Sequence, residues 1–458
     1  MAKFISDIFG RISGVFSKGD QRSVLVKKNI AASFALRGIS ILVSFVLVPL
    51  TIDYVDSAQY GIWLTLSQLL MWFNLLDLGV AMSLRNLFAE TKARGDVLKG
   101  RQYISTAYAS ISCIAIVILA VAYPLFGIID WSSVLNVDAS YRVELTDVMQ
   151  IILGCFALML VVTVMSNILI GDQLTGVSSL IGVIGQIVIL IIVIILVNVN
   201  GHGSLVTLAF LLSGIPAITL LIGSVILFMT RYKQYVPSIS YVKPSLVKEL
   251  IGMGGKFFFI SISTMLIFQM MNVIITRELG PVTVTEYNVS FKYFNIVHTA
   301  MMLMMFPFWA ATTDAYTRGN YRWIFDKTRS IERMMLKFML PGMVVMLAGS
   351  QVFYKLWVGD QVQVSWTMSI VVAIYNVAIC ASNVYTCLIS GIGKIKLQLY
   401  IYVAFAIIAY PVMTYSCRYM GIPGLVMFPT IVYVVQSWVM RKQMMRILTR
   451  RAHGIWNE

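Results

Sequence analysis

The chain has 458 residues, of which 59% are hydrophobic and 12% are charged, and its mean hydropathy is +0.83. Soluble domains carry about 25% charged residues, so this composition excludes an ordinary soluble enzyme or binding domain. The net charge of +15 would suggest a nucleic-acid partner in a soluble protein. In a membrane protein the positive charges mark cytoplasmic segments instead. We therefore predict an all-α, polytopic membrane protein that binds no nucleic acid.

Apolar stretches of about 20 residues, the length that crosses the hydrocarbon core, recur twelve times along the chain. Residues 1–29 precede them, are basic and carry apolar side chains at helical spacing, which predicts a cytoplasmic amphipathic segment; a disordered tail is the alternative. We number the predicted transmembrane helices as spans 1 to 12: 30–50, 60–80, 103–123, 148–170, 179–198, 205–229, 257–276, 287–309, 334–354, 367–389, 397–416 and 424–440.

The basic residues predict the orientation of these spans. Lys and Arg concentrate before span 1, in alternate loops and in the basic tail 441–458, and the positive-inside rule places such segments in the cytoplasm. Both termini are therefore predicted to be cytoplasmic. The loops predicted on the outside hold few positive residues, namely Arg142, Arg277, Lys355 and Arg418.

The long basic loop 231–256 divides the spans into two sets of six, a first half of residues 30–230 and a second half of residues 257–440. Six is an even number, so both halves have the same orientation, as in transporters built from parallel repeats. Short sequences support a duplication: Ala-Gln-Tyr60 before span 2 resembles Thr-Glu-Tyr287 before span 8. Substrate sites in such folds lie near the midplane between the repeats.

Two cations lie in stretches that otherwise read as lipid-buried helix, Arg37 in span 1 and Lys292 in span 8. A charge at the bilayer centre costs about 3 kcal/mol on insertion scales, so each cation needs a buried partner or an anionic cargo. Both belong to polar stripes at helical spacing. The stripe on span 1 is Asn29, Ser33, Arg37, Ser40 and Ser44, and that on span 8 is Asn288, Lys292, Asn295 and Thr299.

Neighbouring spans add further candidates, and structural alternatives stay open beside each of them. In the antiparallel pair of spans 1 and 2, Asp77 lies within one helical turn of the position opposite Arg37. This position predicts an ion pair between Asp77 and Arg37. The serines of span 1 also fit a helix-packing seam, and Lys292 also fits a side chain that extends to the outer surface. His298 is either a proton-linked group or a packing residue bonded to a neighbouring helix. Gln269 and Asn272 share a face of span 7.

No metal site, cofactor site or disulfide framework is predicted. The five cysteines show no metal-ligand spacing, and four of them lie inside predicted spans, which favours a role as small apolar packing residues. No glycine-rich phosphate loop is recognisable, which argues against a nucleotide-sugar enzyme on the cytoplasmic side.

Four sequence segments in chain order resemble the bacterial polysaccharide repeat-unit flippases of the O-antigen type. This branch belongs to the MOP superfamily, which also contains the MATE drug exporters and lipid II flippases. The resemblance covers essentially the whole chain, although its motifs are diffuse. The segments are Val-Pro49-Leu-Thr-Ile-Asp-Tyr-Val-Asp-Ser-Ala-Gln-Tyr60-Gly61-Ile-Trp63, Leu-Leu-Asp77-Leu-Gly79-Val, Leu356-Trp357-Val-Gly359 and Ser390-Gly391-Ile-Gly393-Lys394.

This resemblance implies a transporter of the inner membrane with two six-helix lobes around a central cavity, lined largely by spans 1, 2, 7 and 8. The implied cargo is an oligosaccharide on undecaprenyl pyrophosphate, moved from the cytoplasmic to the periplasmic leaflet by alternating access. Membrane lipids, a polysaccharide polymerase and a chain-length regulator are the other implied partners of lipopolysaccharide synthesis.

The expected roles of the candidate residues follow from their chemistry. Arg37 and Lys292 would bind the pyrophosphate, because guanidinium and ammonium groups donate charge-assisted hydrogen bonds to phosphate oxygens. Asp77 would hold or release Arg37, and Asp77 or His298 would serve in any cation coupling. The amides expected to bind sugar hydroxyls are Gln269, Asn272, Asn288 and Asn295.

Two other functions remain as alternatives. A MATE-like drug exporter would be expected to carry a coupling carboxylate early in span 1, where this chain has Arg37 instead. A membrane polymerase or ligase would need catalytic residues on a sizeable outside loop. The longest such loop, residues 124–147, has acidic residues but no histidine. We therefore expect a transporter and not an enzyme.

Overall fold

The computed structural model describes residues 21–71, 80–199, 203–251 and 255–457. Helices dominate these residues, and no strand occurs among them. The helices of the first half are α1 Gln21–Val55, α2 Ser57–Met71, α3 Val80–Arg94, α4 Val97–Ile128, α5 Trp131–Leu135, α6 Arg142–Gly171, α7 Thr175–Val199 and α8 Leu205–Met229.

The second half is equally helical. A π-helical turn, Met335–Met339, joins α13 to α14 just before Pro341, which lacks the N–H that a regular helix needs. Helix α9 Val247–Ile251 lies in the loop 231–256 between the halves. The helices that follow are α10 Gly255–Phe268, α11 Met271–Leu279, α12 Pro281–Thr317, α13 Tyr321–Met334, α14 Leu340–Val358, α15 Trp366–Ile392 and α16 Lys396–Leu448.

The described helices account for the predicted spans. Eight helical stretches within the described residues are long and apolar enough to cross a membrane. One of them, the 53-residue helix α16, contains spans 11 and 12 and changes direction at Gly421, where φ is 63°. Spans 2, 7 and 8 correspond to α2, to the pair α10 and α11, and to α12; residues 72–79 of span 2 lie outside the described residues. The predicted all-α, polytopic class is confirmed.

The amphipathic segment predicted at residues 1–29 is only partly described. Residues 1–20 lie outside the described residues, whereas α1 begins at Gln21, so residues 21–29 continue span 1 toward the N-terminus as helix.

Contacts between Cα atoms divide the chain into two compact units. The first unit contains Met1–Tyr54, Phe73–Ile129 and Glu144–Gly255, and the second contains Val55–Trp72, Asp130–Val143 and Lys256–Glu458. Helix α2 and the loop around α5 therefore pack with the second half of the sequence, although both precede it along the chain.

The first unit holds residues 231–243, at the start of the long basic loop, against its own helices. The backbone N–H groups of Ser238 and Lys243 donate to the hydroxyls of Ser105 and Thr106 on α4, at 3.2 and 3.0 Å. Asp172, after α6, accepts hydrogen bonds from Lys92, Arg231 and the Tyr232 hydroxyl. A buried carboxylate with this many donors is well stabilised, so the loop is anchored to the first unit.

In the second unit, a buried polar network joins α15 to both parts of α16. The Tyr402 hydroxyl donates to Gln436 Oε1 at 2.8 Å, and Gln436 Nε2 donates to the Thr386 hydroxyl at 2.9 Å. Glu332 of α13 accepts a bond from the Tyr385 hydroxyl at 2.6 Å and pairs with Arg441 at 3.0 Å. These bonds hold α13, α15 and the C-terminal part of α16 together.

Helix α2 joins the second unit through small and polar residues. The hydroxyls of Thr65 on α2 and Thr276 on α11 are 2.6 Å apart, and both side chains are fully buried. The Thr285 hydroxyl of α12 donates to the Ser57 carbonyl at 2.5 Å. Gly61 lies directly against the Pro281 carbonyl and has no room for a side chain. Small residues at such contacts let helix backbones approach closely in membranes.

We expect Gly61→Ala to destabilise the protein by about 1–3 kcal/mol, because an added methyl group would overlap the Pro281 carbonyl and come within 3.0 Å of the Thr285 hydroxyl. The unfolding temperature of the purified protein in detergent checks this. Gly154→Ala is the matched control, since a methyl group there meets nothing within 4 Å. An equal unfolding temperature for Gly61→Ala and the wild type would contradict the packing described here.

Candidate substrate-binding region

Arg37 of α1 has an exposed side chain within the first unit. One turn further along the same polar stripe, the Ser40 hydroxyl donates to Gln186 Oε1 on α7 at 2.6 Å. The stripe on span 1 therefore serves helix packing at Ser40, and Arg37 lies beyond that contact. Asp77 lies outside the described residues, so its pairing with Arg37 stays a prediction.

Lys292 lies on α12 in the second unit, with a half-buried side chain. Helix α12 begins at Pro281, eleven residues before Lys292. At 1.5 Å per residue the lysine is about 16 Å from the helix start, which is farther than a lysine side chain extends. The predicted span 8 begins at residue 287, only five residues before Lys292, so a side chain that extends to the outer surface stays an alternative.

Two of the predicted amides contact each other. Asn288 Nδ2 of α12 donates to Asn272 Oδ1 of α11 at 3.1 Å and to the Val284 carbonyl at 2.8 Å. Asn272 is buried, with 4% of its side chain exposed. The pair joins the two helices in this conformation, so part of its hydrogen-bonding capacity is already used.

Span 7 contains an interruption that the sequence does not announce. Helix α10 ends at Phe268 and α11 begins at Met271, so Gln269 and Met270 separate two half-helices. The Gln269 Oε1 atom is buried and accepts no hydrogen bond from any described residue. An unsatisfied buried amide oxygen is costly, and discontinuous helices with free polar groups are typical of transporter binding sites.

His298 lies between two asparagines. Its Nδ1 atom is 3.2 Å from Asn295 Oδ1, and its Nε2 atom is 2.7 Å from Asn383 Nδ2. As placed, Asn383 donates to Nε2, so the proton of a neutral imidazole lies on Nδ1 and is donated to Asn295. A doubly protonated ring would set two donors against each other at Asn383. A rotated Asn383 amide would present its oxygen to Nε2 instead, so the contact fits both the packing and the proton-linked interpretation of His298.

Sequence reasoning missed Asn383. It lies on α15 within span 10, where an amide among apolar residues was a signal that could have been followed. Its bond to His298 connects the polar stripe of span 8, on α12, to α15. Among the described residues, no group of three or more His, Cys, Asp or Glu side chains could hold a metal ion.

Three acidic residues of the loop 124–147, Asp130, Asp138 and Glu144, cap helices. Asp130 accepts bonds from the Ser132 hydroxyl and from the backbone N–H groups of Ser132 and Ser133 at the start of α5. Asp138 accepts a bond from Ser140. These bonds, led by those from the serines, lower the pKa of both carboxyls. Glu144 accepts from the Leu205 N–H at the start of α8. Carboxylates used as caps are poor candidates for general acids.

The C-terminal end of α11 is joined to α16 by a bidentate ion pair. Arg418 Nε and a terminal guanidinium nitrogen lie 2.7 and 3.0 Å from the two Glu278 oxygens. Hydrogen bonding to Arg418 lowers the pKa of Glu278. A carboxyl whose pKa is lowered by folding contributes stability above its unfolded pKa, here about 4.5, and loses it as the pH falls.

We expect Glu278→Gln to lower stability by roughly 0.5–1 kcal/mol at pH 7, since the arginine is largely exposed and screened. The difference between variant and wild type should vanish as the pH falls below 4.5 through the pKa of the folded state. Unfolding temperatures measured from pH 7 to pH 3.5 check this. Glu90→Gln, which breaks a pair with Arg94 whose two side chains are more than half exposed, is the control and should unfold at nearly the wild-type temperature at pH 7. A difference in unfolding temperature between Glu278→Gln and the wild type that stays constant with pH would contradict the stabilising role of the Glu278–Arg418 pair.

Comparison with known proteins supplies the family. A family model described as "Polysaccharide biosynthesis protein" matches residues 26–312, well over half of the chain. The chain belongs to this family. The resemblance inferred from spans 1 and 2 and from the motifs after spans 9 and 10 is thereby confirmed. A Yersinia pseudotuberculosis protein named as a candidate O-antigen export protein is 20% identical over 378 residues, which cover 80% of this chain and 83% of that protein.

Solved structures show the same fold. An inward-facing multidrug-resistance MATE transporter of the MOP superfamily superposes with a TM-score of 0.71 at 13% identity, covering 90% of this chain and all of that one. A MOP-superfamily transporter from Pyrococcus furiosus, described as having a binding pocket of reverse polarity, superposes with a TM-score of 0.63 at 12% identity. The superposition covers 96% of this chain and 98% of that one. The fold is therefore that of the MOP superfamily, and the chain is an integral membrane protein.

Proposed function

We propose that this protein is an inner-membrane transporter that flips undecaprenyl-pyrophosphate-linked oligosaccharide repeat units from the cytoplasmic to the periplasmic leaflet. The observation that carries the proposal is the polysaccharide-family match over residues 26–312. The O-antigen export name of the Yersinia pseudotuberculosis relative agrees with it, and both termini would be cytoplasmic, as the positive-inside rule predicts.

The proposed ligands of the pyrophosphate are Lys292 and Arg37. A half-buried ammonium group about three turns inside α12 suits a phosphate in a water-poor site, because charge-assisted hydrogen bonds are stronger there. Arg37 is free of the packing contact that engages Ser40 and can present its planar guanidinium to phosphate oxygens. Asp77 would then regulate Arg37.

The proposed sugar-binding groups are the amides of α10 to α12. Gln269, at the break between two half-helices, offers a buried oxygen that a sugar hydroxyl would satisfy. Asn272 and Asn288 would exchange their mutual bond for bonds to the cargo, and Asn295 would do so beside His298. Asp77 and His298 would be the candidates for any cation coupling.

Transport would proceed by alternating access, in which α2 would separate from α11 and α12 during each cycle. Helix α2 meets α11 and α12 through two buried threonine hydroxyls and the bare backbone at Gly61, beside the fully buried apolar side chains of Ile62 and Leu66. The small residues at this contact let the helix backbones approach closely. The capped carboxylates of the longest outside loop support transport over glycan polymerisation or ligation.

A deletion strain tests the proposal. Cells without this protein should lose surface polysaccharide and accumulate lipid-linked repeat units that an external glycosidase cannot reach, and the wild-type gene should restore both. Drug susceptibility should be unchanged. Unaltered polysaccharide with increased drug susceptibility would contradict the proposal and favour a drug exporter. Loss of polymer with repeat units exposed at the periplasmic surface would favour a polymerase or ligase.

A further inference from the structure

Two adjoining cavities lie in the second unit, at the end that the positive-inside rule predicts to be cytoplasmic, and none of the candidate cargo residues lines them. The first, of about 430 Å³, lies between α13 and the end of α16. The second, of about 620 Å³, lies between α16 and the C-terminal segment, and Lys442 and Met445 line both. Their combined lining is rich in cations, namely Arg329, Arg441, Lys442, Arg446 and Arg451.

Within the described lining of the two cavities, most of this positive charge is not balanced by carboxylates. Glu332 is the one carboxylate among the described lining residues, and it is already engaged by Arg441 and the Tyr385 hydroxyl. Lys442 and Arg329 instead lie 4.9 Å from the ring centres of Trp438 and Phe325. Cation–π contacts leave the outward N–H donors of the cations available to an anion.

Hydrogen bonds fix the C-terminal segment beside the second cavity. Gln443 Nε2 donates to the carbonyls of Lys394 and Trp456 at 3.1 and 3.2 Å, and Lys394 Nζ donates to the Asn457 carbonyl at 2.6 Å. The chain after α16 is thereby fixed against the helix. Arg446 also stacks on the Trp456 ring at 4.1 Å, so its guanidinium is oriented before any ligand arrives.

An apolar surface leads from the membrane to these cations. On α16, Ile431, Val434 and Trp438 follow helical spacing toward Lys442, and they are 45%, 54% and 63% exposed. Just beyond α13, Leu336 and Phe338 are also strongly exposed. Exposed aliphatic side chains that end in a tryptophan and then in lysine or arginine mark the level of the lipid headgroups.

We propose that these cavities bind the phosphate headgroup of an anionic phospholipid of the cytoplasmic leaflet, with its acyl chains along the apolar surface of α16. Basic pockets between transmembrane helices on the cytoplasmic side bind acidic lipid headgroups, and each nearby lysine or arginine strengthens the attraction. The headgroup would neutralise Arg329, Lys442 and Arg451 and tie α13 to the end of α16. This site is separate from the proposed cargo site and does not depend on the identity of the cargo.

The test measures binding of dioctanoyl phosphatidylglycerol to the purified full-length chain in uncharged detergent, by tryptophan fluorescence. Wild type should bind this lipid at least tenfold more tightly than dioctanoyl phosphatidylcholine. The triple variant Arg329→Gln, Lys442→Gln, Arg451→Gln should lose at least tenfold in affinity. The matched triple Lys233→Gln, Lys243→Gln, Lys248→Gln removes the same charge from exposed cytoplasmic positions of the first unit and should bind like the wild type.

Several outcomes would overturn the proposal. One is an equal loss of phosphatidylglycerol affinity in the two triple variants, and another is equal affinity of the wild type for phosphatidylglycerol and phosphatidylcholine. The remaining two are displacement of the lipid by inorganic phosphate at the same concentration and displacement by a polyprenyl pyrophosphate that depends on the same three residues. The last two would indicate a general anion site and a cargo site, respectively. Should the first triple fold poorly, Lys442→Glu alone is used, since Lys442 lines both cavities and makes its recorded contact with an exposed ring.

Discussion

Replacing Lys292 by alanine should lower the transport rate at limiting cargo concentration by roughly 10- to 100-fold, because a hydrogen bond to a charged group contributes about 1.5–3 kcal/mol. The half-buried position of Lys292, about three turns inside α12, makes the loss large, since water cannot easily replace the ammonium group. The measurement is the initial rate at which lipid-linked oligosaccharide becomes accessible on the far side of proteoliposomes.

Two further variants separate the binding role from other effects. Lys292→Arg keeps the charge and should retain more activity than Lys292→Ala. Lys337→Ala removes a lysine that is exposed on the π-helical turn of span 9, and it should transport at the wild-type rate. Equal loss in Lys337→Ala, or normal transport by Lys292→Ala at matched protein levels, would contradict the proposed headgroup role.

A disulfide between residues 65 and 276 should stop transport almost completely. The two threonine hydroxyl oxygens are 2.6 Å apart, so cysteines at these positions can reach the S–S bond length with little movement. The variant Thr65→Cys, Thr276→Cys would be made in a background with the five native cysteines replaced. If α2 must separate from α11 during each cycle, the oxidised protein is locked and the reduced protein is active.

Each single cysteine variant is the control for this experiment, because it alters the same surface without forming the bond. Both should transport at rates close to those of the cysteine-free parent, with and without oxidant. A cross-linked protein that transports as fast as its reduced form would show that the contact between α2 and α11 persists throughout transport, which contradicts the proposed mechanism.

The sequence predicted the helices well because a span is defined by two local properties, length and apolarity. Span 8 and its cation were recognisable for this reason, and helix α12 extends at both ends beyond the predicted 287–309. The bend at Gly421 fell between spans 11 and 12, where glycine permits a positive φ. Local signals were sufficient at these positions.

Contacts between distant residues could not be predicted in the same way. Gly61 lies in a motif recognised in the sequence, but the sequence does not show that the Pro281 carbonyl packs directly against it. The interruption at Gln269 and Met270 has neither proline nor glycine to announce it, so packing around α10 and α11 must impose it. The Asn272–Asn288 bond likewise depends on how two helices face each other, although each residue had been singled out by its polarity.

The most direct test of the proposed function is reconstitution of the purified chain into liposomes that carry an undecaprenyl-pyrophosphate-linked oligosaccharide only in one leaflet. A glycosidase added on the opposite side reports how much cargo has crossed. We expect cleavage that depends on the wild-type protein, is slowed by Lys292→Ala and is unchanged by Lys337→Ala. Cleavage at the rate of protein-free liposomes, under conditions where the protein is folded, would contradict the account.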